Sequence, residues 1–389
     1  MRRTRRSISG SSMIETLERR CLLSAMPMMA TTAAHVSNTP TDTDHDHDND
    51  TSPLVSALSA TPQVSASTMP ANCDVNPYGV AFVPANVARG GTLVGGDVLV
   101  SNFNDSGNQQ GTGTTIVQIS PTGQQSTFFH GSAGLGLTTA LGVLKRGFVL
   151  VGNVPTTDGT AATISGGSLL VLDRSGNQVL SIADPKLLDG PWDLTLVDQG
   201  SHAVVFVSNV LSGTVTRLSL SVPSHGTHVK VQSMTQIASG YLTRTDPAAL
   251  VVGPTGLAFD HRHNLLYVAS TGDNEVFSIK GALGTHKDNG KGTLVYQDAA
   301  HLRGPLGLVL APNGDLIASN GDAVNADATQ PSELVEFSPA TGQFVAQRSV
   351  DSTGEGGAFG IAIQSSDDVA QFAAVDDITN ALDVWTVNV

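Results

Sequence analysis

The sequence predicts an all-β fold: a six-bladed β-propeller of four-stranded antiparallel blades, preceded by a tail without regular structure. Three observations predict it. Of 389 residues only 14% are charged, 41 are glycine and 40% are apolar, a balance that suits many short strands joined by tight turns and not helices. The stretch from Gly253 to Gly281 reads as one antiparallel meander, with apolar strands at Leu257–Phe259, Leu265–Ala269 and Glu275–Ile279 separated by polar turns. That meander recurs, with starts roughly 50 to 65 residues apart, the size of a propeller blade.

The copies begin at Pro77-Tyr78-Gly79, Ala140-Leu141-Gly142, Pro191-Trp192-Asp193, Pro254-Thr255-Gly256, Pro305-Leu306-Gly307 and Ala358-Phe359-Gly360. Each start leads into a short apolar first strand. Second strands follow and end in Asn102, Asn153, Asn209, Thr271, Asn320 and Asp376. Third strands alternate apolar and polar residues, as at Asn274–Lys280, and fourth strands follow in five copies. The sixth copy supplies only three strands before Val389. A closed ring needs a fourth, because an open edge invites pairing with other chains. The sequence offers one within 62–69, to pair with Leu382–Val387.

The propeller is therefore assigned to 71–389. Residues 26–70 are rich in Thr, Ser, Ala and Pro and read as a disordered linker. Within it, Asp42 to Asp50 alternate Asp with His; the run lacks the bend glycine and distant Glu of a calcium loop and reads as a solvated spacer. Two cysteines, Cys21 and Cys73, are too few for a disulfide framework. Net charge is −14. The first 70 residues hold six Arg and seven acids, so the body carries almost all of the excess. Such a body repels nucleic acid and anionic membrane, and no apolar run is long enough for a transmembrane segment.

The Pro-x-Gly-apolar starts, the Leu-x-Val-Ser/Ala second strands and the turn at Ser120–Gly123 resemble NHL-type repeats. These build six-bladed propellers, and the wider six-bladed group includes the SMP-30-like gluconolactonase hydrolases. The resemblance covers about 71–389. Separately, Leu17, Glu18, Arg20, Leu22 and Leu23 resemble a LEPR-XLL export region, with Arg19 where that pattern has Pro. It implies that residues 1–25 direct export and that the protein is secreted or held at a bacterial cell surface.

The lactonase-like relatives hold a divalent metal with Glu, Asn and Asp at blade-entry loops, at or beside the middle of Pro-x-Gly. Here those middle positions are Tyr78, Leu141, Trp192, Thr255, Leu306 and Phe359, a poor oxygen set for a hard cation. Asp193 and Glu355 are neighbours that add only two carboxylates. Tyr78, Trp192 and Phe359 instead either plug the channel or offer a ligand an aromatic platform. The second-strand ends Asn102, Asn153, Asn209, Asn320 and Asp376 either cap turns or line the mouth, the face onto which the blade entries and the loops after the second strands open. Long polar loops at Asn102–Gly113, Asn153–Gly167 and Asn320–Ser332 fall on that face and bring Asp105, Asp158 and Asp322 to it; Asp273 stands in the equivalent short turn of the fourth blade. Insertions gathered on one face of a repeat fold mark its binding face.

No catalytic motif is present, and Glu355, in a glycine-rich entry loop, is the one candidate general base. Calcium, at Asp105 and Asp322, is the one cofactor considered. The expectation is an exported monomer that binds an extracellular glycan, peptide or protein at its mouth, more a binding module than an enzyme. A metal- or Glu-dependent hydrolase or lactonase is the alternative, and a structural surface protein a third.

Overall fold

The computed structural model describes residues 52–224, 229–321, 333–351, 357–366 and 368–389. The export region, the linker as far as residue 51, and the candidates Asp322 and Glu355 lie outside these residues.

The chain forms six four-stranded antiparallel sheets. Blade 1 comprises β2 (Val75–Phe82), β3 (Val98–Asn104), β4 (Thr115–Ile119) and β5 (Gln125–His130). Blade 2 comprises β6 (Leu137–Val143), β7 (Val149–Asn153), β8 (Ser168–Leu172) and β9 (Gln178–Ile182). Blade 3 holds β10 (Pro191–Asp198), β11 (His202–Asn209), β12 (Thr214–Ser221) and β13 (Lys230–Ser239). After a small hairpin, β14 (Arg244–Asp246) and β15 (Leu250–Val252), blade 4 holds β16 (Pro254–Asp260), β17 (Leu265–Ser270), β18 (Glu275–Lys280) and β19 (Thr293–Tyr296). Blade 5 is β20 (Pro305–Leu310), β21 (Leu316–Asn320), β22 (Leu334–Ser338) and β23 (Gln343–Arg348). Blade 6 is β24 (Ala358–Ser366), β25 (Val369–Asp376) and β26 (Ala381–Asn388), completed by β1 (Val64–Ser67). The first strands touch in succession around a central shaft: β2, β6, β10, β16, β20, β24 and again β2.

The start motif has a physical reading. Every first strand shifts register against its second strand at that point, as between Pro77 and Val80 or between Ala358 and Ile361. The resulting bulge bends the strand toward its neighbour. A Cβ at Gly360 would stand 2.0 Å from the Tyr78 carbonyl oxygen of blade 1, and one at Gly79 would meet Thr138 O of blade 2 at 2.9 Å. Glycine is needed there because two backbones approach too closely for any side chain.

The Ser-Asn pairs ending several second strands divide two tasks. Ser101 Oγ accepts from Gly79 N and donates to Thr138 O of the next blade, both at 2.9 Å. Ser319 Oγ likewise accepts from Gly307 N at 2.7 Å and donates to Phe359 O at 2.6 Å. The hydroxyl thus satisfies the bulged amide and ties one blade to the next in a single step.

Blade 6 closes with register Val64↔Val384 to Ser67↔Ala381. The segment before it differs from the linker reading. A short helix, α1 (Leu54–Ala57), lies against β22 and β23, with Leu54, Val55 and Leu58 all under 5% exposed. Glu336, fully buried, accepts from the amides of Leu54 (3.0 Å) and Val55 (2.8 Å). Its carboxylate satisfies donors that a helix start leaves open. Ser59 O accepts from Trp385 Nε1 at 3.1 Å and Arg348 Nη2 at 2.6 Å. Residues 53–67 therefore form a strap from blade 5 to blade 6. The apolar residues Leu54, Val55 and Leu58, inside a Ser-rich stretch, are what hold it there.

Candidate functional site

The mouth end of the shaft is closed. Tyr78, Trp192 and Phe359 are at most 5% exposed and pack on one another. Tyr78 stacks on Phe103 and on Phe359, each at 4.6 Å, and meets Trp192 edge-on at 5.9 Å. Leu250 and Val251 of β15 pack into the same cluster. Gln110 Nε2, in the loop after β3, donates to Ala248 O at the hairpin's tip (2.7 Å). The aromatic platform is thus replaced by a roofed plug, because three large rings aimed at one axis bury more apolar surface against each other than against water.

The asparagine ring is a set of clamps. Asn102 Nδ2 donates to Thr68 O, Asn153 Nδ2 to Leu135 O, Asn209 Nδ2 to Leu187 O and Asn320 Nδ2 to His301 O. Each acceptor lies in the segment that enters the same blade. In blade 4 Thr271 follows the second strand where the other blades have asparagine, and there Asn274 does the equivalent for the next entry, donating to Leu302 O at 2.8 Å. All four second-strand asparagines are at most 6% exposed. They hold the blade entries and present no surface to a ligand. Asp376 caps its own turn, accepting from Ile378 N and Thr379 Oγ1. Burial, and then the nearby Asp351 carboxylate, push its pKa up. Asp273 pairs with Lys291 Nζ at 2.7 Å and accepts from Ser270 Oγ, a local tie within blade 4.

The predicted residues that do come together are Asp105 and the two loops after β3 and β7. Between blades 1 and 2 these loops wall a cavity of about 740 Å³, open to the mouth face. Thr156 N donates to Gly111 O at 2.9 Å, joining the loops at the floor. The lining is hydroxyl-rich: Thr112, Thr114, Thr156, Thr157, Thr163 and Ser165 face it. Asp74, Asp105 and His130 are its ionisable groups. Asp105 Oδ1 accepts from Gly107 N (2.9 Å) and Gln109 N (3.1 Å), which fixes the loop's bend. Asp74, 3% exposed, takes three bonds on Oδ2, from Thr114 N, Thr114 Oγ1 and Thr115 Oγ1 at 2.8 to 2.9 Å. Asp158 sits beyond the rim, where the Thr163 hydroxyl, followed by Thr160, holds its carboxyl below the usual range. Asp74 and His130 were not foreseen. Asp74 lies just before the first start motif, and His130 ends a fourth strand, where the repeat pattern carries no information on site residues.

The calcium candidates are not brought together among the described residues, since Asp322 lies outside them. Among the described residues no group of three or more His, Cys, Asp or Glu is placed to hold a metal ion. The entry positions that carry the ligands in lactonase-like propellers are here the plug. Asp105 spends one oxygen on its own loop. No helix among the described residues is long and apolar enough to cross a membrane.

No family model matches the sequence, and no curated protein does. Solved structures of the same fold do. Regucalcin from Agrobacterium tumefaciens, a calcium-binding protein, is 12% identical with a TM-score of 0.49, covering 85% of this chain and 96% of its own. A luciferin-regenerating enzyme is 10% identical with a TM-score of 0.48, covering 84% and 95%. The GH93 α-L-arabinofuranosidase of Fusarium graminearum, in complex with arabinobiose, is 14% identical with a TM-score of 0.49, covering 83% and 96%. At these identities the likeness is one of fold alone. It nonetheless corrects one expectation. The leaning away from an enzyme is not kept, since chains of this fold include the luciferin-regenerating enzyme and the arabinofuranosidase.

Proposed function

We propose that the cavity between blades 1 and 2 binds a hydroxyl-rich ligand, a glycan or a fragment of one. The observation that carries this reading is its lining: threonine and serine residues from two loops joined by a backbone bond, with two carboxyls and an imidazole among them. Sugars are recognised by such convergent donors and acceptors. The cavity's size is in the range of small-molecule sites, roughly 300 to 1,000 Å³. Hydrolysis of the bound ligand is the reaction class the same residues support, because two carboxyls facing one cavity are the minimal equipment for glycoside cleavage. In that role Asp74, buried and anchored on one oxygen, is the positioned carboxyl, and Asp105 is the more exposed one. The reading retains export to the cell exterior, supported by the LEPR-XLL-like stretch, and an NHL-type origin for the repeats.

The test is a glycan array followed by turnover of nitrophenyl glycosides, with the parent, Asp74→Asn and Asp105→Asn. Glycan binding by the parent, weakened in both variants, supports the site; cleavage lost in either variant supports hydrolysis. Glycan binding unchanged in both variants overturns the assignment.

A further inference from the structure

Below the plug the shaft stays open. It encloses about 440 Å³ and runs to the turns after the first strands, where Pro84 and Gln364 line it. This is the face opposite the cavity just described. Most of its wall side chains are apolar, among them Val80, Leu141, Leu196, Leu257, Phe259 and Ile361, with Thr139, Thr195 and Gln364 between them.

One residue breaks the pattern. Five of the six start motifs place glycine at their third position, Gly79, Gly142, Gly256, Gly307 and Gly360; blade 3 places Asp193 there. Its amide keeps the glycine's bond, donating to Ser208 Oγ at 3.0 Å. Its carboxyl projects into the shaft, where Oδ2 accepts from the Leu257 amide of blade 4 at 2.9 Å. No side chain among the described residues bonds to that carboxyl. It lies deep in the disc, enclosed by protein, yet the residue is only half-buried because the shaft reaches it. Burial pushes its pKa up to about 8, offset in part by the Leu257 and Leu194 amides. Among the described residues no other Asp, Glu, His, Lys or Arg lines the shaft. The plug beside it adds one titratable group, the Tyr78 phenol, and the facing strands β6, β11 and β16 offer Thr139, Ser208 and Leu257.

A carboxyl enclosed by protein with only backbone amides for partners costs stability unless something uses it. A folded partner cannot enter a shaft of this size, so the occupant is small. An amine would have to bury an ion pair, whose desolvation roughly cancels its attraction. A neutral acceptor avoids that cost. We propose that the shaft binds a small neutral molecule with an apolar body and one carbonyl oxygen, which accepts a hydrogen bond from the Asp193 carboxyl group.

Cyclohexanone and cyclohexane test this as a matched pair, titrated by saturation-transfer NMR against the full chain at pH 6.5 and 9.5. The parent, Asp193→Asn and Asp193→Ala are compared, and melting curves confirm that each is folded. At pH 6.5 the parent is expected to bind the ketone about fivefold more tightly than the hydrocarbon, the effect of one neutral hydrogen bond. At pH 9.5, where the carboxyl has lost its proton, that preference disappears. Asp193→Asn, which donates at any pH, keeps it at both; Asp193→Ala shows none. Equal binding of the two probes by the parent at pH 6.5, no binding of either, or a preference in the parent that does not change with pH overturns the proposal. A variant that fails to fold leaves the parent's two-pH comparison to decide.

Discussion

Glu336 offers the sharpest check on how the strap is held. Its buried carboxylate takes the Leu54 amide and Asn313 Nδ2 on Oε1, both at 3.0 Å, and the Val55 amide on Oε2 at 2.8 Å. Bonds to a charged acceptor contribute about 1.5–3 kcal/mol each. Glu336→Gln keeps the shape but turns one oxygen into a donor facing another donor, so it is expected to cost about 1.5–3 kcal/mol. Glu336→Ala removes all three bonds and is expected to cost about 3–5 kcal/mol, as when one partner of a buried charged contact is lost. Most of this arises from the strap. Deleting 52–60 opens the carboxylate to water, and in that background Glu336→Ala should cost under about 1 kcal/mol, so the two changes are strongly non-additive. Urea unfolding supplies the energies, and hydrogen exchange at the Val55 amide, expected to speed up in both point variants, locates the change. Equal costs for Glu336→Ala with and without the strap, or a Gln variant within 0.5 kcal/mol of the parent, by the yardstick for harmless surface changes, would refute this account.

Other expectations are simpler. Asn209→Ala removes a fully buried clamp with bonds to Leu187 O, Thr214 Oγ1 and Thr216 Oγ1; it should cost about 2–3 kcal/mol, read as a lower urea midpoint at constant slope. Gly360→Ala sets a methyl against the Tyr78 carbonyl and should lower the melting temperature more than any substitution at the exposed turn residues His261, Arg262 and His263. Asp193 keeps a proton in the folded chain up to about pH 8 that the unfolded chain releases near 3.8. Stability therefore falls as pH rises across that window, and Asp193→Asn should flatten the decline, as melting temperatures at pH 5, 7 and 9 would reveal. Glu333, whose pKa burial also pushes up to about 8, adds to the same decline in both proteins.

The blades were legible because each is written in local order. Pro-x-Gly, an apolar run and an alternating run specify a bulge and a hairpin whatever lies around them. What those residues touch was not legible. Ser101 and Asn102 read as a strand end; that one reaches the next blade and the other its own blade's entry depends on ring closure, which no short stretch encodes. Trp192 was equally compatible with a platform and a plug, and β14–β15 decided it, a hairpin inside what read as a connection. The strap escaped notice because Leu54, Val55 and Leu58 are too few to show a period, and their partner Glu336 lies some 280 residues away. The cavity was half visible. Loop length pointed to Asp105, while Asp74 and His130 are brought there by pairing within blade 1, the one bonded to Thr114 and Thr115 and the other opposite Thr115 across β4 and β5.

The closing strand has a mechanical consequence. Because β1 runs antiparallel to β26, Val64 lies beside Val384, and Gln63 N donates to Val384 O at that same end. A pull applied between residues 63 and 388 therefore loads the ladder one rung at a time, like a zipper, instead of shearing all rungs together. Blade 6 should open at low force and in small steps. Tension carried through residues before 54 meets the Glu336 contacts first, so the strap acts as a strain relief that shields the seam of the ring.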